Sequence, residues 1–194
     1  RKEEETEIQV VEQIDAFPID GARALSLAIE EQFGVAFQQT VWSFFGPDLP
    51  QRVTVKTPKG DVVVPWGVMV LPGLKNTKIS CDITKAPDGG IVFFVGVTTL
   101  KKHETKIRKL LDRTHQLVRE KSFYRGHALK VDFKRIDQPG YSPEFMETES
   151  KDGSVLILNK DTEALLNGSV LTPIEKTAIC REMGIRPRRG VGAF

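Results

Sequence analysis

Three histidines, two cysteines and one dense run of cations are the side chains from which this sequence could build chemistry. His103, His115 and His127 stand twelve residues apart. That is neither a metal-ligand spacing on one helix face nor the neighbourhood of a nucleophile, so they read as surface residues rather than members of a triad. Cys81 has Ile79 and Ile83 two residues away on its own strand face, which makes it a buried, inert thiol with Asp82 as its outward neighbour. Cys180 is remote from it, so neither a disulfide framework nor a zinc ribbon is indicated, and a reducing, cytoplasmic setting is the simplest one.

Between residues 101 and 125, Lys101, Lys102, Lys106, Arg108, Lys109, Arg113, Arg119, Lys121 and Arg125 face only Glu104, Asp112 and Glu120, so 9 − 3 gives a local charge of +6. Such density could steer an acidic protein or a nucleic acid. The plainer reading is the solvated face of an amphipathic helix, because the only rings available for stacking on bases, Phe123 and Tyr124, come at its end. A third group is aromatic: Trp42, Phe44 and Phe45 ahead of Gly46-Pro47, and Trp66 inside Pro65-Trp66-Gly67. Core packing accounts for some of these rings, and Phe45 and Trp66 are the two expected to be partly exposed, in a groove for unfolded segments or adaptor peptides.

The elements that must position these residues follow from composition and periodicity. The chain has 194 residues, 40% hydrophobic and 28% charged, with 28 Lys plus Arg against 26 Asp plus Glu. This suits one independent domain with a smaller attachment, and a net charge of +2 gives no global pull toward nucleic acid or membrane. No apolar run approaches the roughly 20 residues needed to cross a bilayer. Residues 1–15 form an acidic leader that turns into helix or edge strand near Ile8. Its start, Arg1-Lys2-Glu3, has neither Met nor an apolar leader and reads as a boundary. Asp20 is placed to cap a helix carrying Ala24, Leu25, Ala28, Ile29 and Phe33, and Gly34 to stop it.

Strands are expected at 35–44, 52–57, 61–64 and 67–71, then a hairpin of 78–84 and 91–97 around a Pro-Asp-Gly-Gly turn. A helix over 101–121 has Ile107, Leu110, Leu111, Thr114, Leu117 and Val118 on one stripe. A last strand at 127–133 would close an α+β domain over residues 16–136, antiparallel-rich with two helices, and 137–153 reads as a linker.

Beyond the linker, Thr172-Pro173 with Glu175 makes a capping-box start, Ile174, Ala178, Ile179 and Met183 form an apolar stripe, and Gly184 ends the helix. The segment continues Gly184-Ile185-Arg186-Pro187-Arg188-Arg189-Gly190-Val191. This unit resembles the stretch just ahead of the phosphate-binding loop in AAA ATPases of the Cdc48 and FtsH kind, where a Pro-led helix ends in Gly-Ile-x-Pro-Pro-Arg-Gly-Val. Pro173, Gly184, Ile185, Pro187, Arg189, Gly190 and Val191 match that pattern, and Arg188 replaces its second Pro. The resemblance covers about a fifth of the chain.

It implies that residues 154–194 are the start of an AAA domain ending before its catalytic core. It also implies a parent that assembles as a hexameric ring and remodels proteins with ATP and magnesium. Counting back to the family's adenine-contacting segment reaches Ile157 and Leu158, which keep its apolar character but lack Asp-Gly-Gly. A phosphate loop needs Gly-Lys-Ser/Thr to wrap phosphates and hold magnesium. The sequence contains no Gly-Lys dipeptide and no apolar strand ending in Asp-Glu, so it is expected to be inactive as an ATPase. The expectation is a domain that recruits a protein substrate or adaptor for such a parent. The alternative is a free-standing adaptor or nucleic-acid-binding module that acts through the basic helix.

Overall fold

The computed structural model describes residues 4–85, 90–138, 140–147, 160–168, 172 and 176–182. The chain divides into two compact units, Arg1–Thr148 and Glu149–Phe194. The first is α+β. Its main sheet holds β1 (Glu7–Ile14), β2 (Phe37–Gln38), β7 (Val68–Val70), β8 (Lys78–Lys85) and β9 (Ile91–Leu100), in the order β1-β9-β8-β7-β2 with every pair antiparallel. Three further pairs stand apart: β3 (Val41–Ser43) with β4 (Gly46–Asp48), β5 (Gln51–Thr57) with β6 (Gly60–Trp66), and β10 (Leu129–Lys130) with β11 (Glu144–Phe145). The helices are α1 (Pro18–Phe33) and α2 (Glu104–Lys121), the latter entered through a 3-10 turn at Lys101–His103. None of the helices among the described residues is long and apolar enough to cross a membrane.

The period-2 pattern of the strands sets which face is covered. Val10 pairs with Val97, Val97 with Ile79, and Ile79 with Met69, so four strands deliver one cross-sheet row of buried apolar side chains. Against this side pack the apolar stripes of α1 (Ala24, Leu25, Ala28, Ile29) and α2 (Ile107, Leu110, Leu111, Leu117), all in one core cluster. The opposite face leaves Val11 and Phe37 exposed. Gly34 ends α1 with a positive φ of 81° and donates its N–H to the Glu30 carbonyl at 3.2 Å.

Three expectations are corrected. Asp20 does not cap α1: the helix begins two residues earlier, with Phe17 at the cap and Pro18, whose ring presets the helical φ, at its first position. Asp20 is buried in the first turn and accepts the Phe123 N–H at 3.3 Å. No closing strand runs over 127–133, because β1 already occupies the position beside β9. Leu129–Lys130 pairs instead with Glu144–Phe145, so residues 137–147, expected as linker, belong to the first unit. They are tied down there by Tyr124, whose hydroxyl bonds the Ser142 hydroxyl, and by the Asp132 N–H, which donates to the Tyr141 hydroxyl at 2.6 Å.

In the second unit the described elements are short helices at Lys160–Leu166 and Thr177–Glu182, with the Lys176 N–H donating to the Thr172 carbonyl at 2.9 Å. Pro173 and residues 183–194, which carry the Gly-Ile-x-Pro pattern, lie outside the described residues.

Candidate functional site

Among the described residues, the most exposed apolar feature is the β3–β4 hairpin. Trp42 faces Pro47 and Ser43 faces Gly46 across it, leaving Phe44 and Phe45 at the tip. The turn needs a positive φ after its two central residues, which a Phe takes only at a cost, and Gly46 supplies it at 116°. Phe44 is 98% exposed and Phe45 96%, their rings edge to face at 5.5 Å. Val35, Phe37, Trp42 and Leu49 are exposed as well. From Gly34 to Gln51 the only charged residue is Asp48, in a chain that is 28% charged. A surface this poor in charge is cheap to desolvate, and burying one Phe side chain is worth about 1.5–3 kcal/mol. At the root of the hairpin a cleft of about 240 Å³ borders Leu49, Pro50, Val68 and Asp82.

Phe45 is therefore where the sequence places it, on the surface. Trp66 is not: it is buried at 4% exposure, with its ring 6.2 Å from Phe93. Alternation along β6 turns Val64 and Trp66 inward. Gly67, with a φ of 88°, then bends the chain into β7, so the Pro-Trp-Gly signal marks a corner that borders the cleft without exposing the Trp66 ring. Sequence reasoning misses Val35, Phe37 and Leu49, although the charge-poor run around them is a readable signal.

The basic run is largely on the outer face of α2, as its stripe requires, but at least four of its nine cations have carboxylate partners. Arg113 reaches Glu31 at 2.7 Å and Glu120 at 3.2 Å, Lys121 reaches Glu31 at 3.6 Å, Arg108 pairs with Glu104 at 2.7 Å, and Lys102 with Glu5 at 2.5 Å. Glu5 and Glu31 come from outside the run, so 6 − 2 reduces its charge to +4. Arg113 holds the Glu31 carboxyl below its ordinary range, and Lys102 does the same for Glu5. Lys106 and Lys109 lie on α2 itself and Lys101 in the 3-10 turn ahead of it. The structure does not gather these cations with Phe45: they belong to α2 and its entry, whereas Phe45 is on the β3–β4 hairpin.

Cys81 is buried, and burial pushes its thiol up to about 12. Its Sγ accepts the Gly67 N–H at 3.2 Å. His115 Nε2 lies 3.1 Å from Glu12 Oε1, a cross-link between α2 and β1. Among the described residues no group of three or more His, Cys, Asp or Glu could hold a metal ion. Ile157 and Leu158, the adenine-side candidates, lie outside the described residues. Compared with protein-family models and with curated proteins, the chain matches none.

Proposed function

We propose that this chain is the N-terminal, substrate- or adaptor-recruiting domain of an AAA ATPase that remodels proteins, and that the β3–β4 hairpin makes the capture contact. The observation that carries this reading is the pair of fully exposed rings, Phe44 and Phe45, at a hairpin tip in a segment with one charge. Two aromatic side chains held out by a strand pair present apolar surface to a partner, and every folded client hides the apolar segments they would grip. Selectivity for unfolded or adaptor segments then follows from exposure of the client, not from a particular sequence. ATP and magnesium would be held elsewhere in the parent. This chain has no Gly-Lys dipeptide to wrap phosphates, so no nucleotide step is assigned to its residues.

The test is fluorescence anisotropy with a labelled, reduced and carboxymethylated, permanently unfolded polypeptide. If each ring contributes about 1.5 kcal/mol, Phe44→Ser with Phe45→Ser weakens binding about 100-fold. Unchanged affinity would remove the hairpin from the reading, and a downstream coding sequence without a phosphate loop would remove the AAA parent. Polyanion binding through α2 is the weaker reading, since a phosphate backbone would have to displace Glu31 and Glu5 from Arg113 and Lys102.

A further inference from the structure

Two of the strand pairs outside the main sheet open onto one cleft. Residues 54–58, from β5 and its turn, form one wall, residues 142–147, around β11, form the other, and the space between is about 580 Å³. The backbone groups along each wall can be assigned by parity, because in an antiparallel pair alternate residues exchange bonds with the partner strand and those between point theirs outward. The Met146 N–H donates to the Ala128 carbonyl at 2.9 Å, so Phe145, one residue earlier, turns its N–H and C=O away from β10. In the β5–β6 hairpin the pair flanking the turn, Thr57 and Gly60, faces inward. Val55 and Val53 share that phase, and Arg52, Thr54 and Lys56 turn outward. Among the described residues none of these outward groups has a backbone partner.

The opposite edge of this hairpin is treated differently. Pro65 of β6 pairs with Arg52 in the outward phase, so at the point where β6 would offer an N–H to a further strand it has none. Proline on an edge is a standard guard against strand addition. Residues 51–57 contain no proline, and the β5 edge is left open beside the cleft.

We propose that this cleft is a strand-addition site, in which an extended segment of a partner polypeptide lies between β5 and β11 and joins the two pairs into one sheet. The unpaired main-chain groups on both walls call for a strand and not a helix. At about 3.3 Å per residue, the length of residues 54–57 takes a core of about four residues. Pro58, Pro143 and Met146 border the cleft and favour apolar side chains. Lys56 and Glu147, on opposite walls, have no ion pair among the described residues, so the occupant carries an acidic residue toward the first and a basic one toward the second. The site is independent of the hairpin and of the AAA reading, so either can fail without the other.

The probe is an acetylated, amidated peptide, Asp-Val-Thr-Val-Thr-Val-Lys, titrated into the 15N-labelled full chain and followed by amide NMR shifts. Saturable shifts are expected at Thr54, Lys56 and Phe145. Methylating either phase of alternate peptide nitrogens, which leaves the protein unaltered, should weaken binding at least tenfold, since one phase faces β5 and the other faces β11. Thr54→Pro should also abolish it, while Thr54→Ala, which keeps the N–H, should not. Shifts confined to other residues, unchanged affinity on methylating either phase, or no saturable binding at millimolar peptide would each overturn the proposal.

Discussion

Replacing Gly21 by alanine should destabilise the first unit, although alanine is the better helix former. Gly21 lies in the first turn of α1, its N–H bonded to the Phe17 carbonyl at 2.9 Å. A Cβ there would sit 2.3 Å from Cδ1, 2.5 Å from Cγ and 2.9 Å from Cβ of Phe93. Carbon atoms rest at about 3.5–4.0 Å, so helix and strand must part by more than about 1 Å. Phe93 cannot yield: it is 0% exposed and lies beside Trp66 in the centre of the core. The gain from helix propensity is about 1 kcal/mol. Overpacking costs about 1–3 kcal/mol, and three contacts under 3 Å, one of them to the Cβ rooted on the backbone, place this site at the top of that range. The net loss is then about 2 kcal/mol, read as a lower urea midpoint with unchanged m by tryptophan fluorescence. Phe93→Leu should cost less in the Gly21→Ala background than in the unaltered chain, with a coupling of at least about 1 kcal/mol. A Gly21→Ala protein more stable than the unaltered one would refute the close approach of α1 to β9.

The other predictions separate exposed from buried groups. Trp66→Ala should cost about 3–5 kcal/mol by leaving a cavity against Phe93, whereas Phe45→Ala should change the urea midpoint by no more than about 0.5 kcal/mol in equivalent stability. In a Cys180→Ser background, Cys81 should resist iodoacetamide in native buffer at pH 8 and react fully in urea, since its thiol is pushed up to about 12; alkylation at the rate of a free cysteine would contradict its burial. Glu31 is held below its ordinary value of 4.5 by Arg113. A depressed carboxyl contributes stability that is present above the unfolded value and lost as pH falls through the folded one. The midpoint difference between the unaltered chain and Arg113→Met should therefore be visible at neutral pH, shrink on acidification below about pH 4, and shrink in high salt.

What is legible in the sequence is what local periodicity decides. The turn-bounded apolar run from Ile91 and the 3.6-residue stripe of α2 have their burial pattern written into them, and both elements form nearly where expected. Gly34 is equally readable, because ending a helix needs a residue that tolerates positive φ. The expectations that moved depend on partners far along the chain. Asp20 looks like a cap from its neighbours alone, yet the bond it accepts comes from Phe123, and nothing within a helical window announces that. The strand at 127–133 has the right residue types, but an edge can be taken once, and β1 takes it.

The aromatic residues show the same division at the level of function. Phe45 and Trp66 carry similar local signals, a large ring beside Gly and Pro, and only the strand register separates them. In β6 the ring falls in phase with Val64 and turns inward; at the β3–β4 tip no phase exists, because Phe44 and Phe45 are the turn itself. A ring in a strand can be recovered by the core on its inward face, whereas a ring in a tight turn has no such face and stays in water unless another molecule covers it. The hairpin's two phenylalanines leave apolar surface in water and give the core nothing. That asymmetry, more than the number of exposed rings, is why the tip and not the Pro-Trp-Gly corner is the place to look for a bound polypeptide.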